Sequence, residues 1–167
     1  RCLTGIGRSF QIPQPFEKLT VFENLLVAAT HGRNQSEAEV RDACADVLER
    51  TEMLPRANTP AGSLSLLERK RLELARAMAT DPKLLLLDEI AGGLTEGECQ
   101  ALIATIRDIH AQGVTIIWIE HVVHALLAVV EKLIVIDFGK KIAEGQPKAI
   151  MDSPEVKEIY LGVDPDV

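Results

Sequence analysis

One segment constrains the fold of this chain more than any other, namely residues 84–89, which have the sequence LLLLDE. A continuous aliphatic run of this length is typical of a strand that is buried on both faces of a parallel sheet. Two carboxylates, Asp88 and Glu89, stand where such a strand ends, and open α/β folds bind their ligands at that edge. The segment therefore predicts an α/β protein with a ligand site at these two acids. The alternative is a strand that is followed by an ordinary solvated acidic turn.

Two further aliphatic runs, residues 114–119 and residues 133–136, are continuous in the same way. We expect both to be buried neighbours of the first strand in one parallel sheet. Residues 137–140 then form a predicted turn, and residues 141–143 form a short returning strand that completes a small hairpin.

The second run ends in Glu120 and His121, which places an imidazole at the same predicted edge as the two acids. A histidine there can donate a hydrogen bond to a phosphate oxygen whether its ring is neutral or protonated. His124 follows three residues later, but a metal pair needs a third ligand, and the sequence offers none nearby. We therefore expect His121 to contact phosphate rather than a metal ion.

Helix starts are marked by a repeated pattern, in which Ser or Thr is followed three residues later by Glu. In this capping box each side chain pairs with a backbone N–H that the first helical turn leaves unpaired. A further helix is predicted to begin at Ser153, because Pro154 loses no hydrogen bond at the first helical position. The four boxes are Thr20 with Glu23, Ser36 with Glu39, Ser65 with Glu68, and Thr95 with Glu98.

Composition excludes several classes of protein. The chain is 47% hydrophobic but only 4% aromatic, a balance that suits helices packed on a buried sheet. Its net charge of −7 argues against a nucleic-acid partner, and no apolar stretch approaches the roughly 18 residues of a membrane span. Three widely spaced cysteines fit a reduced cytoplasmic protein. Because the sequence opens at Arg1 and not at Met, we expect it to be part of a longer chain.

Residues 64–77, with the sequence LSLLERKRLELARA, precede the acidic strand, and residues 5–11, with the sequence GIGRSFQ, stand far upstream. Together with residues 93–95 and His121, these segments resemble the motifs of ABC ATPases in their order along the chain. The resemblance covers almost the whole chain, and it implies a P-loop NTPase-like ABC ATPase core, with a parallel sheet flanked by helices, plus a helical subdomain. The implied parts are a Q-loop strand and connection in residues 1–19, the helical subdomain in residues 20–80, the α/β core in residues 81–146 and a helical tail in residues 147–167.

The resemblance also implies a role for each residue that matches a family motif. Asp88 is the Walker B aspartate that holds Mg²⁺, Glu89 is the catalytic base, and His121 is the switch histidine. Gln11 is the Q-loop glutamine that senses Mg²⁺ and the attacking water. The residues implied to contact the ATP of a partner subunit are Ser65, Leu67 and Glu68 of the signature and Gly93, Leu94 and Thr95 of the D-loop.

Residues 137–145 and 159–162 resemble the importers of branched-chain and other hydrophobic amino acids. The implied function is ATP binding and hydrolysis that powers import, with ATP and Mg²⁺ as cofactors. The implied partners are permease subunits and a second ATP-binding subunit. The implied location is the inner face of the cell membrane, where the protein is cytoplasmic and peripheral.

One departure from the family pattern concerns the phosphate-binding loop, because no G-x-x-x-x-G-K-S/T run occurs in this sequence. We expect that loop to precede Arg1, which makes the chain an N-terminally truncated member that is inactive alone. Strand edges and apolar faces left uncovered in this way predict self-association into a homo-oligomer.

A second departure lies in the signature, where Leu66 and Leu67 follow Ser65 although the family has glycine at the second of these positions. Glu68 also replaces the usual glutamine. Because a leucine side chain obstructs the close approach of a backbone amide to phosphate, we predict a weakened half-site. The alternative is that residues 65–68 are an ordinary helix start.

Two other functions stay open. The first is a catalytically silent interaction module with the same fold, which the missing phosphate loop and the two leucines favour. The second is the ABC-type head of a chromosome-maintenance or DNA-repair protein. The acidic charge and the lack of a sustained heptad pattern disfavour that reading.

Overall fold

Residues 1–161 are described by the structure, which is a computed structural model, and side chains are described through residue 158. Residues 162–167 of the predicted tail lie outside the described part. The chain divides into two compact units, Arg1–Ala125 and Leu126–Val167. Within residues 1–161, no helix combines the length and the apolar character needed to cross a membrane.

Three helices of the first unit lie between its first and second strands. α1 spans Val21–Arg33, α2 spans Glu37–Arg50 and α3 spans Leu66–Ala79. Each begins directly after the Ser or Thr of its predicted capping box, and so does α4, which spans Glu96–Ala111. The prediction is confirmed at all four sites, because a pairing between residues three apart depends on little beyond the local sequence.

Three parallel strands form the sheet of the first unit, in the order β1, β2, β3. β1 spans Ile6–Arg8, β2 spans Leu84–Asp88 and β3 spans Thr115–Ile119, and a short helix α5, Val123–Leu127, follows. The predicted α/β fold, a parallel sheet with flanking helices, is confirmed. The carboxyl ends of all three strands meet at one edge of the sheet.

The core of this unit forms where the helices pack on one another and on β2. Leu25 of α1, Leu48 of α2 and Leu72 of α3 are fully buried there. β1 approaches α3 closely, because a Cβ added at Gly7 would lie 3.0 Å from the carbonyl oxygen of Ala77. The position of β1, and of the residues that follow it, therefore depends on α3.

The two faces of the sheet differ in burial. Leu85 and Leu87 of β2 are buried in the core, whereas Ile117 and Ile119 of β3 are 53% and 64% exposed. The prediction that the second aliphatic run is buried on both faces is wrong for the described residues. The run of aliphatic residues predicts a strand, but it does not determine how many faces other elements cover.

The second unit contains β4, Leu133–Asp137, and β5, Lys140–Gly145, which pair antiparallel. The predicted hairpin is confirmed, but the prediction that residues 133–136 join the parallel sheet is wrong. Phe138 and Gly139 both adopt positive φ, the conformation of a tight turn that favours local antiparallel pairing. Two short helices follow, α6 at Pro147–Asp152 and α7 at Pro154–Leu161, the latter beginning at the predicted proline.

Candidate functional site

The carboxyl edge of the parallel sheet gathers residues from three distant parts of the chain. Gln11 lies shortly after β1, Glu89 comes directly after β2, and Glu120 and His121 come directly after β3. Because the strands are parallel and in register, these residues meet at the same edge. The edge is therefore the candidate site.

Two predicted side chains converge on Glu89. The amide Nε2 of Gln11 donates a hydrogen bond to Glu89 Oε2, and Nδ1 of His121 lies 3.4 Å from the same oxygen. Glu89 has a φ of 44°, in the left-handed region that residues with a Cβ rarely adopt. Its N–H donates to the carbonyl oxygen of Ile119 at 2.8 Å, which helps to hold this backbone conformation. Such conformations are common at functional sites.

Asp88, the last residue of β2, has a different partner. Nη2 of Arg8 donates to Asp88 Oδ2 at 2.9 Å. The guanidinium of Arg8 also lies over the ring of Phe10, 4.9 Å from its centroid. Asp88, the acid predicted to hold Mg²⁺, is thus paired with a cation from the neighbouring strand. The sequence pattern did not predict a role for Arg8.

Glu120 is a buried carboxylate whose role the sequence pattern did not reveal. Its side chain is 0% exposed. Oε2 accepts a hydrogen bond from the N–H of Ala91 at 2.9 Å, and Oε1 accepts from the N–H groups of His121 and Val122 at 3.1 and 3.3 Å. These three donors replace the water that the charge has lost. Glu120 therefore ties the loop after β2 to the loop after β3.

Lys70 is a second residue that the sequence pattern missed, since a lysine between two arginines on a helix usually faces solvent. It is only 4% exposed. Its Nζ donates to the carbonyl oxygen of Gln11 at 2.7 Å and to that of Glu89 at 3.1 Å. Burial lowers the pKa of the Lys70 ammonium, and the carboxylates of Glu120, Glu89 and Glu73 oppose that shift.

The segment after Gln11 is fixed to α3 by a second cation. Nη1 of Arg76 donates to the carbonyl oxygen of Gln14 at 2.9 Å and to Glu73 Oε2 at 3.0 Å. Burial raises the pKa of Glu73, and the charge of Arg76 acts against that rise. On the other side, the N–H of Phe16 donates to Asn24 Oδ1 of α1 at 2.9 Å. The segment that carries Gln11 is thus held by two helices.

The signature residues form a local helix start. Ser65 is the N-cap of α3: its hydroxyl accepts a hydrogen bond from the N–H of Glu68 at 3.3 Å, and its own N–H donates to Glu68 Oε2 at 2.9 Å. Nε of Arg56 donates to Glu68 Oε1 at 2.6 Å. The hydrogen bond from the Ser65 N–H is the main cause that lowers the pKa of Glu68, with burial opposing it. Leu67 is half-buried against the core.

The predicted D-loop residues lie between Glu89 and α4. Gly93 has a φ of 78°, which glycine adopts without strain, and Thr95 is the N-cap of α4. Leu94 is partly buried against the core. A Cβ added at Gly93 would lie 3.2 Å from Cδ2 of Leu66, so the first leucine of the signature lies directly against this loop.

The oxygen donors at this edge fit Mg²⁺. Asp88 offers a carboxylate, and Gln11 offers an amide oxygen because its Nε2 is directed to Glu89. In the part of the chain that the structure describes, no three His, Cys, Asp or Glu side chains cluster as a metal site. Mg²⁺ does not need such a cage, since it typically uses one or two carboxylates together with water and substrate phosphates. The donor set therefore suits a magnesium ion that is bound jointly with a nucleotide.

His124 lies apart from this cluster. Its Nε2 lies 3.1 Å from Oε2 of Glu96, on the first turn of α4. His121 and His124 thus have different partners, which are the carboxylates after β2 and β3 for the first and α4 for the second. The geometry does not support treating the two histidines as one metal pair.

Two known protein families match parts of this chain. Residues 2–92 match the family described as ABC transporter. Residues 140–166 match the family described as branched-chain amino acid ATP-binding cassette transporter. The first match contains Gln11, Ser65, Asp88 and Glu89, and the second begins at β5.

Individual proteins show the same similarity. The high-affinity branched-chain amino acid transport ATP-binding protein BraF of Pseudomonas aeruginosa is 37% identical over 95% of this chain and 68% of its own length. The corresponding protein LivG of Escherichia coli (strain K12) is 35% identical over the same shares. The crystal structure of the ADP conformation of an ATP-binding cassette of an ABC transporter has a TM-score of 0.84 and 30% identity, covering 97% of this chain and 70% of that one.

Proposed function

Because this chain belongs to the ABC transporter family of ATP-binding proteins, we propose that its complete gene product hydrolyses ATP to power the import of branched-chain amino acids. Two findings support the choice of solute. The relatives BraF and LivG are named for high-affinity branched-chain amino acid transport, and residues 140–166 match a family with that description.

One observation carries the proposal, namely the convergence of Gln11 and His121 on Glu89 beside Asp88. Phosphoryl transfer to water needs a group that orients and deprotonates the water, and donors that stabilise charge on the phosphate. Glu89 is the proposed base. His121 is the proposed phosphate donor, and Gln11 is the proposed sensor of Mg²⁺ and water. A cluster assembled from three separate loops fits this division of roles better than a solvated acidic turn does.

We propose different roles for Asp88 and Glu89, because the two carboxylates have different contacts. Asp88 would hold Mg²⁺, directly or through water, with Gln11 as a second oxygen donor. Bound Mg²⁺ supplies positive charge that offsets the charge of the phosphate oxygens. Arg8 pairs with Asp88, so this guanidinium has to yield at least part of the carboxylate when the ion binds. Glu89 is instead contacted by the amide of Gln11 and by the ring of His121, and both contacts are made by its Oε2.

The proposed assembly follows from the family. Two ATP-binding subunits would close around ATP, with Ser65, Leu67 and Glu68 of one subunit and the D-loop residues Gly93, Leu94 and Thr95 facing nucleotide bound by the other. Permease subunits are the proposed membrane partners. The proposed location is the cytoplasmic face of the membrane, where the protein is peripheral.

A catalytically silent module with the same fold is the second candidate, and the signature favours it. The polar groups of Ser65 and Glu68 are engaged with each other and with Arg56. Leu66 is 44% exposed and directly precedes Leu67, the position at which the family has glycine. The two candidates differ in one measurable property, which is ATP turnover.

The test measures Mg²⁺-dependent ATP hydrolysis by the complete gene product that contains this chain. We expect Glu89→Gln to lower turnover by about 100-fold or more, the effect of losing a general base, while ATP still binds. Asp108→Asn is the matched control, because this acid is exposed on α4 and belongs to none of the motifs. Turnover that survives Glu89→Gln would remove the proposed base, and a protein that never hydrolyses ATP would be the silent module.

The solute is tested separately by uptake of labelled leucine, isoleucine and valine in cells that produce the Glu89→Gln variant. We expect uptake of these three amino acids to fall while uptake of a basic amino acid stays constant. Unchanged uptake of all three, in cells where ATP turnover is lost, would contradict the choice of solute and leave the ATPase proposal standing.

A further inference from the structure

Lys70 is unusual among the basic residues at the start of α3. The guanidinium of Arg69 donates to the carbonyl oxygens of Gly62 and Leu64, and that of Arg71 lies 2.7 Å from the Glu52 carboxylate. Those partners all belong to the helical part of the first unit. Lys70 alone extends toward the sheet edge, and it is almost completely buried there.

The two oxygens that Lys70 contacts belong to the two residues whose side chains meet in the candidate site. Nζ donates to the main-chain carbonyl of Gln11 at 2.7 Å and to that of Glu89 at 3.1 Å. The amide of Gln11 in turn donates to the carboxylate of Glu89. One ammonium group therefore fixes the backbone of both members of the pair at a common point.

Glu89 in particular needs such an anchor. Its left-handed backbone is unfavourable for a residue with a Cβ, so contacts on both sides must hold it. Its N–H is held by Ile119 of β3. Its carbonyl oxygen is held by Lys70. Without the ammonium, the two carbonyl oxygens lose their charged donor, and Lys70 is only 4% exposed, so water does not easily take its place.

We propose that Lys70 is a positioning residue, which sets the distance between the side chains of Gln11 and Glu89 and transmits the position of α3 to them. The inference rests on the proposed function, in which these two residues act on the attacking water. Ser65, the signature serine, is the N-cap of α3, so a displacement of the signature would reach the backbone of both Gln11 and Glu89 through Lys70, whereas Arg76 contacts only the segment after Gln11. Lys70 itself does not touch the reacting atoms.

The experiment compares Lys70→Met, Lys70→Arg and Arg71→Met in the complete gene product. Methionine keeps the apolar stem but has no donor, whereas arginine keeps a charged donor at similar reach. Arg71→Met is the matched control, because it removes an adjacent, mostly buried cation whose partner is Glu52. We expect Lys70→Met to lower kcat by about 10- to 100-fold with KM for ATP nearly unchanged, as a small misplacement of reacting groups does.

Two comparisons distinguish a positioning role of Lys70 from a general loss of structure. They are rescue by arginine and coupling to Gln11. We expect Lys70→Arg to recover most of the lost kcat and Arg71→Met to leave kcat nearly unchanged. In a Gln11→Ala background, the loss caused by Lys70→Met should shrink, because one of the two positioned residues is already absent. Losses that simply multiply, or an equal loss in Arg71→Met, would overturn the inference.

A second measurement does not depend on ATP turnover. Amide hydrogen exchange of the peptides covering residues 9–16 and 89–92 should accelerate in Lys70→Met and not in Arg71→Met. Unchanged exchange in both peptides overturns the inference, whether or not the protein hydrolyses ATP. If the wild-type protein shows no turnover but exchange accelerates as expected, the proposed function fails while the positioning by Lys70 stands.

Discussion

The end of β2 and the start of α3 both carry motif residues, but their contacts differ in range. At the end of β2, Asp88 pairs with Arg8 across a separation of 80 residues, and Glu89 pairs with Gln11 across 78 residues. At the start of α3, Ser65 and Glu68 satisfy each other across three residues. Even the additional partner Arg56 is only 12 residues away from Glu68.

This difference in the range of the contacts distinguishes a functional site, which needs distant parts of the chain, from a structure that forms locally. The cluster at β2 exists only when several loops are correctly placed, so its side chains depend on the whole first unit. The helix start forms wherever its own four residues occur, and the same box is found at α1, α2 and α4. We therefore expect substitutions at the end of β2 to act on activity and substitutions of the capping pair Ser65 and Glu68 to act mainly on helix stability.

Among the substitutions that compare these two regions, Asp88→Asn should have the largest effect. The substitution removes the charge that would hold Mg²⁺ and leaves Arg8 without its partner, so we expect ATP turnover to fall by about 100-fold, near 3 kcal/mol of transition-state stabilisation. Turnover as a function of Mg²⁺ concentration is the measurement. Ser65→Ala serves as the comparison from the other region, with an expected loss of about 1 kcal/mol of stability. A Mg²⁺ dependence identical to that of the wild type would contradict the role of Asp88.

The next effect concerns Glu120, which connects two loops at the β2 edge. Glu120→Gln keeps the size of the side chain but removes the charge and one of its two acceptor oxygens, so at least one of three backbone N–H groups loses its partner. We expect the free energy of unfolding to fall by about 2 kcal/mol, measured by urea denaturation. Glu96→Gln is the control, since its carboxylate is exposed on the first turn of α4. Equal losses of unfolding free energy in the two variants would show that the buried contacts of Glu120 stabilise the fold no more than the exposed carboxylate of Glu96 does.

A smaller effect is expected from Leu67→Gly. This substitution tests whether the start of α3, like the end of β2, can act in contact with nucleotide. If the leucine obstructs phosphate, its removal should raise ATP turnover by about fivefold, equivalent to roughly 1 kcal/mol of barrier. Glycine in a helix also lowers stability by about 1 kcal/mol relative to alanine, so turnover is measured at a temperature where both proteins are folded. Turnover that stays at the wild-type level would show that the half-site is not weakened by Leu67.

The smallest effect is a pH dependence at the start of α3. The pKa of Glu68 is lowered in the folded chain, chiefly by the N–H of Ser65. Its contribution to stability is therefore present above the ordinary glutamate pKa of about 4.3 and is lost as pH falls through the lower, folded value. We expect Glu68→Gln to flatten the acid limb of thermal stability slightly, and Glu98→Gln to do the same because the pKa of that capping glutamate is also lowered. An acid limb that is steeper in either variant would contradict this assignment.

Much of the fold could be predicted because the signals were local. Each capping box lies within four consecutive residues, and the acids after β2 lie directly next to the strand that positions them. Residues 133–136 were placed in the wrong sheet for the opposite reason. Their aliphatic pattern does not distinguish a parallel neighbour from the hairpin partner that the turn at Phe138 and Gly139 provides.

The sequence predicted the motif residues of the site, but it did not predict the residues that hold those motif residues in place. Lys70 stands between two arginines and gives no sequence signal of burial, because its contacts are made with Gln11 and Glu89 in other segments. Glu120 was visible as an acid after a strand, but only the fold brings Ala91 to its carboxylate. Both roles depend on tertiary packing, which local patterns do not encode.

The pairing of β1 with β2 has a consequence for how the molecule forms. Ile6 lies opposite Leu84, so three helices must be spanned before the two strands can join. Helices complete themselves from short-range contacts, whereas pairing between distant segments is slow because the intervening chain must first be closed into a loop. During synthesis on the ribosome, β1 therefore leaves the exit tunnel before β2, and the pairing of these two strands has to wait until α1 to α3 have also emerged. Arg8 and Gln11 can reach the two acids only after the chain of α1 to α3 has been made, so we expect these contacts to form later than the capping boxes of those helices.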